Sequence, residues 1–125
     1  MAKKRILVID DSVDITTPLK LYLERTGAYD VRVESRGANA LASAREFQPD
    51  LILLDVVMPD VDGGDVAAQF NEDEQLKQIE LVLLTASVTK QEAGLMGGRL
   101  GGRPILSKLT SLKEIIEYIQ RRLGA

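Results

Sequence analysis

The stretch Leu51–Gly63 constrains the fold of this chain more than any other part of the sequence. Its first four residues are all apolar, which is typical of a strand that helices cover on both faces of a parallel sheet. Asp55 follows them directly, and Pro59 and Gly63 then turn the chain. Asp55 is therefore predicted to lie at the carboxyl end of a central strand, the edge where open α/β sheets bind ligands. The alternative is that Asp55 only caps the next helix.

Alternation of strand and helix patterns along the rest of the chain predicts the fold class. Four more strands are predicted at Arg5–Ile9, Tyr29–Val33, Glu80–Leu84 and Ile105–Leu106. Helices are predicted between Ile15 and Gly27, over Ala38–Phe47, around Val66–Phe70, from near Val88, and over Leu112–Leu123. Pro18 predicts a distorted first turn or a late start for the first helix. Five strands alternating with five helices predict one doubly wound α/β domain over residues 1–125.

Composition excludes several classes of function. The chain has 125 residues and a net charge of −3, which gives no reason to expect direct binding of nucleic acid. It has no Cys and no His, which excludes disulfides, thiolate or histidine metal sites and the usual catalytic triads. Any metal would be a hard, oxygen-ligated cation such as Mg²⁺. No apolar run approaches the length of a membrane span and no signal peptide is evident, so a cytoplasmic location is expected.

Polar residues follow four of the five predicted strands, at one edge of the sheet. They are Asp10 and Asp11, Asp55, Thr85 and Lys108. Two carboxylates about 4 Å apart repel by roughly 4 kcal/mol at an effective dielectric near 20, so three of them need a counter-charge such as Mg²⁺. A lysine can pair with an anion, and a threonine hydroxyl can donate a hydrogen bond to it. The set therefore favours phosphoryl transfer onto a carboxylate. Taken singly, the Asp and Thr residues could be helix caps, and Lys108 a surface lysine.

These motifs resemble those of the receiver domains of response regulators, the CheY-like family, over essentially the whole chain. The matching residues are Asp10-Asp11 after the first strand, Leu54–Pro59 with Gly63 following, Thr85-Ala86, and Lys108. The resemblance implies a flavodoxin-like sheet with strand order 2-1-3-4-5. It also implies a cytoplasmic signalling domain, not an enzyme, that acts on an unknown downstream protein or output domain without contacting nucleic acid or membrane.

The same resemblance implies a role for each motif residue. Asp55 would accept a phosphoryl group from the phosphohistidine of a histidine kinase or a phosphotransfer protein. The implied Mg²⁺ ligands are Asp11, Asp55 and the Val57 backbone carbonyl, with Asp10 acting through water. Thr85 would donate a hydrogen bond to one phosphoryl oxygen, and Lys108 would pair with another.

The chain departs from the family pattern at three places. Leu109 follows the lysine where receivers have a proline in a cis bond, and a non-proline cis bond costs about 3–4 kcal/mol. Receivers usually have an aromatic residue at the position of Ile105, and that residue couples the threonine to the output surface. With Ile105 there, this coupling is expected to be altered or absent. Five glycines between Gly94 and Gly102 predict a short fourth helix followed by a mobile loop.

Two alternatives to a phospho-accepting switch follow from these features. A degenerate receiver would act only as a protein-binding module, which the replacements at Leu109 and Ile105 favour. A phosphohydrolase resembling the haloacid dehalogenase family would use Asp55 as a transient nucleophile. Such enzymes place a second Asp two residues after the first, where this chain has Val57.

Overall fold

The computed structural model describes residues 3–86, 99–100, 102–108 and 110–124. Its strands are β1 (Lys4–Ile9), β2 (Tyr29–Glu34), β3 (Leu51–Asp55), β4 (Glu80–Thr85), β5 (Arg99–Leu100) and β6 (Arg103–Ser107). The α-helices within the described ranges are α1 (Val13–Arg25), α2 (Ala40–Phe47), α3 (Gly63–Glu72) and α4 (Leu112–Leu123), with a 3-10 turn at Gly37–Asn39 leading into α2. The helix predicted to begin near Val88 lies outside the described residues.

The strands form one sheet in the order β2-β1-β3-β4-β6-β5. The first five of these are parallel, which confirms the predicted doubly wound sheet with its order 2-1-3-4-5. The two-residue strand β5 pairs antiparallel with β6. It lies within the segment Gly94–Gly102, where glycines predicted a mobile loop, so that prediction is wrong for Arg99 and Leu100. Gly102 has a φ of +80° in the turn between β5 and β6, a conformation that glycine adopts without strain.

The central strand β3 explains why the sheet is covered on both faces. All five of its residues are buried, and alternate side chains point to opposite faces. Ile52 and Leu54 pack with α2 and α3 in a cluster that includes Phe70. Leu51 and Leu53 pack with α1 and α4 in a second cluster. The two cores fix the strand direction, so every parallel strand delivers its carboxyl end to the same edge.

Helix α1 begins at Val13 and continues through Pro18, so the predicted late start is wrong. Proline at this position lacks the N–H that would donate to the carbonyl of Asp14, four residues earlier. Asp14 is exposed, so water can replace the missing donor at modest cost. The helix is retained because its buried face, with Leu19 and Leu23 fully covered, packs on the sheet.

Strand β2 forms one edge of the sheet, as its alternating sequence predicts. The backbone amide of Val31 donates to the Glu24 carboxylate of α1 at 3.2 Å.

No helix in the described part of the chain is long and apolar enough to cross a membrane.

Candidate functional site

The end of β1 places two carboxylates in different surroundings. Asp10 is 2% exposed, whereas Asp11 is exposed to solvent. The backbone amide of Asp10 donates to the carbonyl of Glu34 on β2, which holds the chain in the sheet at this point (3.0 Å). One oxygen of Asp10, Oδ1, accepts the amide of Ser12 at 2.9 Å. The other oxygen, Oδ2, therefore faces the edge of the sheet.

Asp55 is the last residue of β3 and is also 2% exposed. Its Oδ1 accepts the backbone amide of Val57 at 3.2 Å. The helix that follows is capped by Asp62, whose Oδ1 accepts the amide of Gly64 at 2.7 Å. The alternative in which Asp55 only caps a helix is therefore wrong.

The loop after Asp55 folds back closely onto the strand end. Val57 and Asp62 form an isolated antiparallel bridge, and the amide of Gly63 donates to the carbonyl of Val56 at 2.8 Å. A Cβ atom at Gly63 would lie 2.2 Å from the carbonyl oxygen of Asp55. Only glycine permits this approach, so the Gly63 of the sequence motif is needed to close the loop against the strand.

Lys108 lies between the two buried carboxylates. Its Nζ is 2.8 Å from Asp10 Oδ2 and 3.1 Å from Asp55 Oδ2. The lysine side chain is 12% exposed, so the alternative of a surface lysine is wrong. Its backbone amide donates to the carbonyl of Thr85 at 2.9 Å, which holds the start of the loop after β6 against the end of β4.

Electrostatics at the site leave a deficit of positive charge. Burial raises the pKa of Asp55, and the neighbouring charge of Asp10 raises it further, while Lys108 and the Val57 amide act in the opposite direction without cancelling the effect. Burial alone would lower the pKa of Lys108, but its hydrogen bonds to Asp10 and Asp55 raise that pKa. One ammonium group thus serves two buried carboxylates, with Asp11 beside them.

The three carboxylates lie close enough together to hold a hard divalent cation. Asp10, Asp11 and Asp55 each present an oxygen, and these oxygens lie within 4.8 Å of one another. Apart from Lys108, no donor within the described residues reaches the buried Oδ2 atoms of Asp10 and Asp55. A carboxylate oxygen whose one partner is an ammonium group keeps a lone pair for a metal, and oxygen-only donors suit Mg²⁺. The residues present therefore fit the implied cation.

Thr85 and Ile105 lie on the neighbouring strands β4 and β6, two residues out of register with each other. Thr85 ends β4, is 2% exposed, and pairs in register with Ser107. Ile105 pairs with Leu83 and is buried in the core that faces α2 and α3. The structure therefore places the Ile105 side chain in the interior. Leu109 and the predicted glycine-rich segment up to Gly98 lie outside the described residues.

The sequence reasoning did not single out two acidic residues in the loop after β3. Asp62 could have been found, because an aspartate before two small residues at a helix start is an N-cap signal. Asp60 accepts the amides of Gly37 and Ala38 at 3.3 and 3.0 Å. Those partners are more than twenty residues away in the sequence, and no local pattern connects them to Asp60.

The chain is similar to known proteins both in sequence and in fold. The profile of the "Response regulator receiver domain" family matches residues 6–120. The chain is 38% identical over 122 residues to the alkaline phosphatase synthesis transcriptional regulatory protein PhoP of Bacillus subtilis, covering 95% of this chain and 49% of that protein. It therefore spans about half the length of that relative. It is 33% identical to the polar-differentiation response regulator DivK of Brucella ovis, covering 97% of each chain.

The fold also matches a solved structure. The chemotaxis protein CheY4 of Vibrio cholerae superposes with a TM-score of 0.78 at 28% identity, covering 96% of this chain and 98% of that one.

Proposed function

Because this chain belongs to the family of response regulator receiver domains, which are signalling domains and not classical enzymes, we propose that it is a phospho-accepting switch of a two-component phosphorelay. Asp55 takes a phosphoryl group from the phosphohistidine of a histidine kinase or a phosphotransfer protein. The carrying observation is the position of Asp55: buried at the end of the central strand, 3.1 Å from the Lys108 ammonium and grouped with Asp10 and Asp11.

Each residue of the site has a role in this transfer. A carboxylate oxygen of Asp55 attacks the phosphorus, an O–P bond forms, and the N–P bond to the donor histidine breaks. Lys108 pairs with one phosphoryl oxygen and the Thr85 hydroxyl donates to another. Asp11, Asp55 and the Val57 carbonyl would hold Mg²⁺, with Asp10 acting through water. The metal supplies positive charge that offsets the charge of the carboxylates and the incoming phosphoryl group.

Signal output is proposed to go through protein contacts. Residues 1–125 are taken as one receiver domain in the cytoplasm, which acts on a downstream protein or on an output domain, without direct contact with nucleic acid or membrane. The relative PhoP is a transcriptional regulatory protein of which this chain matches about half. DivK, by contrast, is matched along nearly its whole length. Both forms of output are therefore compatible with the similarities.

Phosphoryl labelling tests this function. We expect labelled acetyl phosphate, or a labelled histidine kinase, to phosphorylate the wild type in the presence of Mg²⁺. Asp55→Asn removes the nucleophilic oxygen and should abolish labelling. Asp65→Asn removes the same charge from an exposed position on α3 and should label like the wild type.

Three other outcomes would contradict the proposal. Full labelling of Asp55→Asn would place the acceptor elsewhere. A folded wild type that is not labelled by any donor would support the degenerate, binding-only receiver. Steady turnover of a small phosphate ester would support the phosphohydrolase alternative.

A further inference from the structure

The loop over residues 56–62 carries Val57, whose carbonyl is the proposed metal ligand. The base of the loop is closed by the bridge between Val57 and Asp62 and by the bond from the Gly63 amide to the Val56 carbonyl. Val57 itself is 60% exposed, so little packing restrains its side chain. Its backbone is held by that bridge and by the bond from its amide to Asp55 Oδ1, and on the other side by the loop that follows it.

The tip of this loop is bound to a different part of the fold. The two carboxylate oxygens of Asp60 accept the amides of Gly37 and Ala38, at 3.3 and 3.0 Å. Gly37 begins the 3-10 turn that leads into α2. Amides at the start of a helical turn have no partner within the turn, and Asp60 supplies acceptors from across the chain. The bonds from Ala38 and Gly37 hold the pKa of Asp60 below its usual value, so the acceptor is ionised at neutral pH.

Apolar contacts fix the same junction. Gly37 is buried, and a Cβ atom there would lie 2.2 Å from Val61 Cγ2 and 2.9 Å from Met58 Cε. The side chains on both sides of Asp60 in the loop thus lie directly against the backbone of the 3-10 turn. Two hydrogen bonds from backbone amides and two apolar side chains together hold the loop tip to the start of α2.

We propose that Asp60 is a positioning residue for the metal site: it holds the loop tip on the 3-10 turn and thereby sets where the Val57 carbonyl stands relative to Asp55. The inference rests on the proposed function, since it assumes the magnesium site. Groups that orient a metal ligand without touching the metal typically change its affinity 10–100-fold when they are replaced. Asp60 is three residues from Val57 and holds the loop at the end opposite the Val57–Asp62 bridge.

Linkage gives the same inference a second observable. If holding the loop tip favours Mg²⁺ binding, then Mg²⁺ must favour holding the loop tip by the same factor. Amide hydrogen exchange at Gly37 and Ala38 should therefore slow when Mg²⁺ is added to the wild type. These amides lie on a different loop from all of the proposed metal ligands, so direct contact with the ion does not explain protection there.

The test compares Mg²⁺ affinity and amide exchange in four proteins: wild type, Asp60→Ala, Asp60→Asn and Asp65→Ala. Titration calorimetry should give about 10-fold weaker Mg²⁺ binding for Asp60→Ala. Asp60→Asn keeps one neutral acceptor oxygen and should fall between that variant and the wild type. Asp65→Ala removes an equal charge from an exposed site on α3 and controls for long-range attraction of the cation. Protection of Gly37 and Ala38 by Mg²⁺ should be lost in Asp60→Ala.

The outcomes separate this inference from the proposed function. A wild type that does not bind Mg²⁺ contradicts the function itself. If the wild type binds Mg²⁺ and Asp60→Ala binds it equally tightly, Asp60 has no positioning role. Lower melting temperature without Mg²⁺, at unchanged affinity, would likewise show that Asp60 is only structural. Should Asp60→Ala fail to fold, the affinity of Asp60→Asn decides: a value equal to that of Asp65→Ala overturns the proposal.

Discussion

At the scale of single residues, the site is defined by one ammonium group shared between two buried carboxylates. Lys108 Nζ lies within 3.1 Å of oxygens on both Asp10 and Asp55, and each of those side chains is almost wholly buried. Replacing one partner of a buried ionic pair is strongly destabilising, because the remaining charge is left without compensation. Here the imbalance is present in the native sequence, and it is what makes the site receptive to further positive charge.

Stability without metal should depend on pH through Asp55. In the unfolded chain this carboxyl group loses its proton near 3.8, whereas burial and Asp10 raise its pKa in the folded chain. Between those two values the folded state binds more protons, so the contribution of Asp55 to the free energy of unfolding falls as pH rises. Above the folded pKa that contribution stays at its lower value.

Asp55→Asn should remove this contribution. In the presence of a chelator, the variant is expected to have the larger free energy of unfolding at neutral pH. Its advantage should shrink as pH falls through the folded pKa of Asp55, because the wild type regains its proton there. Urea denaturation of both proteins from acid to neutral pH measures the difference. If the two proteins differ in free energy of unfolding by the same amount across that pH range, the negative charges of Asp10 and Asp55 are already compensated in the folded state.

At the scale of elements, the start of α3 depends on Gly63 having no side chain. Gly63→Ala would place a Cβ atom 2.2 Å from the Asp55 carbonyl oxygen and 2.5 Å from Val56 Cα, so backbone must move. Overpacking of this kind costs about 1–3 kcal/mol. Because the displaced backbone carries Asp55, phosphoryl labelling should fall as well. Urea denaturation and the labelling assay measure the two effects.

Gly64→Ala is the matched control for that substitution. A Cβ atom at Gly64 would meet only the side-chain oxygen of Asp62, at 3.0 Å, and that side chain can adjust. Alanine also favours the helix over glycine by about 1 kcal/mol, so the variant should stay within about that amount of the wild type. Equal losses in both variants would mean that the helix start, and not the approach to Asp55, is the sensitive feature.

Strand ends were predictable from the sequence because each signal is local. Apolar runs that stop at Asp10, Asp55 and Thr85 fix both the buried strands and the polar residues at their ends, since parallel strands share one direction. The roles of these residues stay predictions. The contact between Asp60 and Gly37 was not predictable, because it joins two loops that are far apart in the sequence and meet only in the folded structure. The late start of α1, one of two alternatives predicted from Pro18, is wrong, since packing of the apolar face of the helix outweighs the penalty at Pro18.

At the scale of the whole molecule, Mg²⁺ binding should appear as global stability. A ligand that binds only the folded state, at 100 times its dissociation constant, stabilises that state by about 2.7 kcal/mol. Asp11 is exposed, so Asp11→Ala should change stability without metal by no more than about 0.5 kcal/mol. The same variant should lose most of the increase in melting temperature that Mg²⁺ causes in the wild type.

Asp14→Ala provides the comparison for Asp11→Ala. Asp14 is exposed on the first turn of α1, and its replacement removes the same charge without removing an oxygen of the carboxylate cluster. Its response to Mg²⁺ should match that of the wild type. A wild type whose melting temperature is indifferent to millimolar Mg²⁺ would argue against a specific metal site.

The contact of Glu24 with the edge strand β2 has a consequence for the behaviour of this protein in crowded solution. An edge strand offers backbone groups to which a strand of another molecule can add, and such addition is a first step toward aggregation. At Val31 the donor is already occupied by the Glu24 carboxylate. That negative charge also repels the carbonyl oxygens of any approaching strand. The helix that covers one face of the sheet thus also blocks one of the backbone donors on its open side.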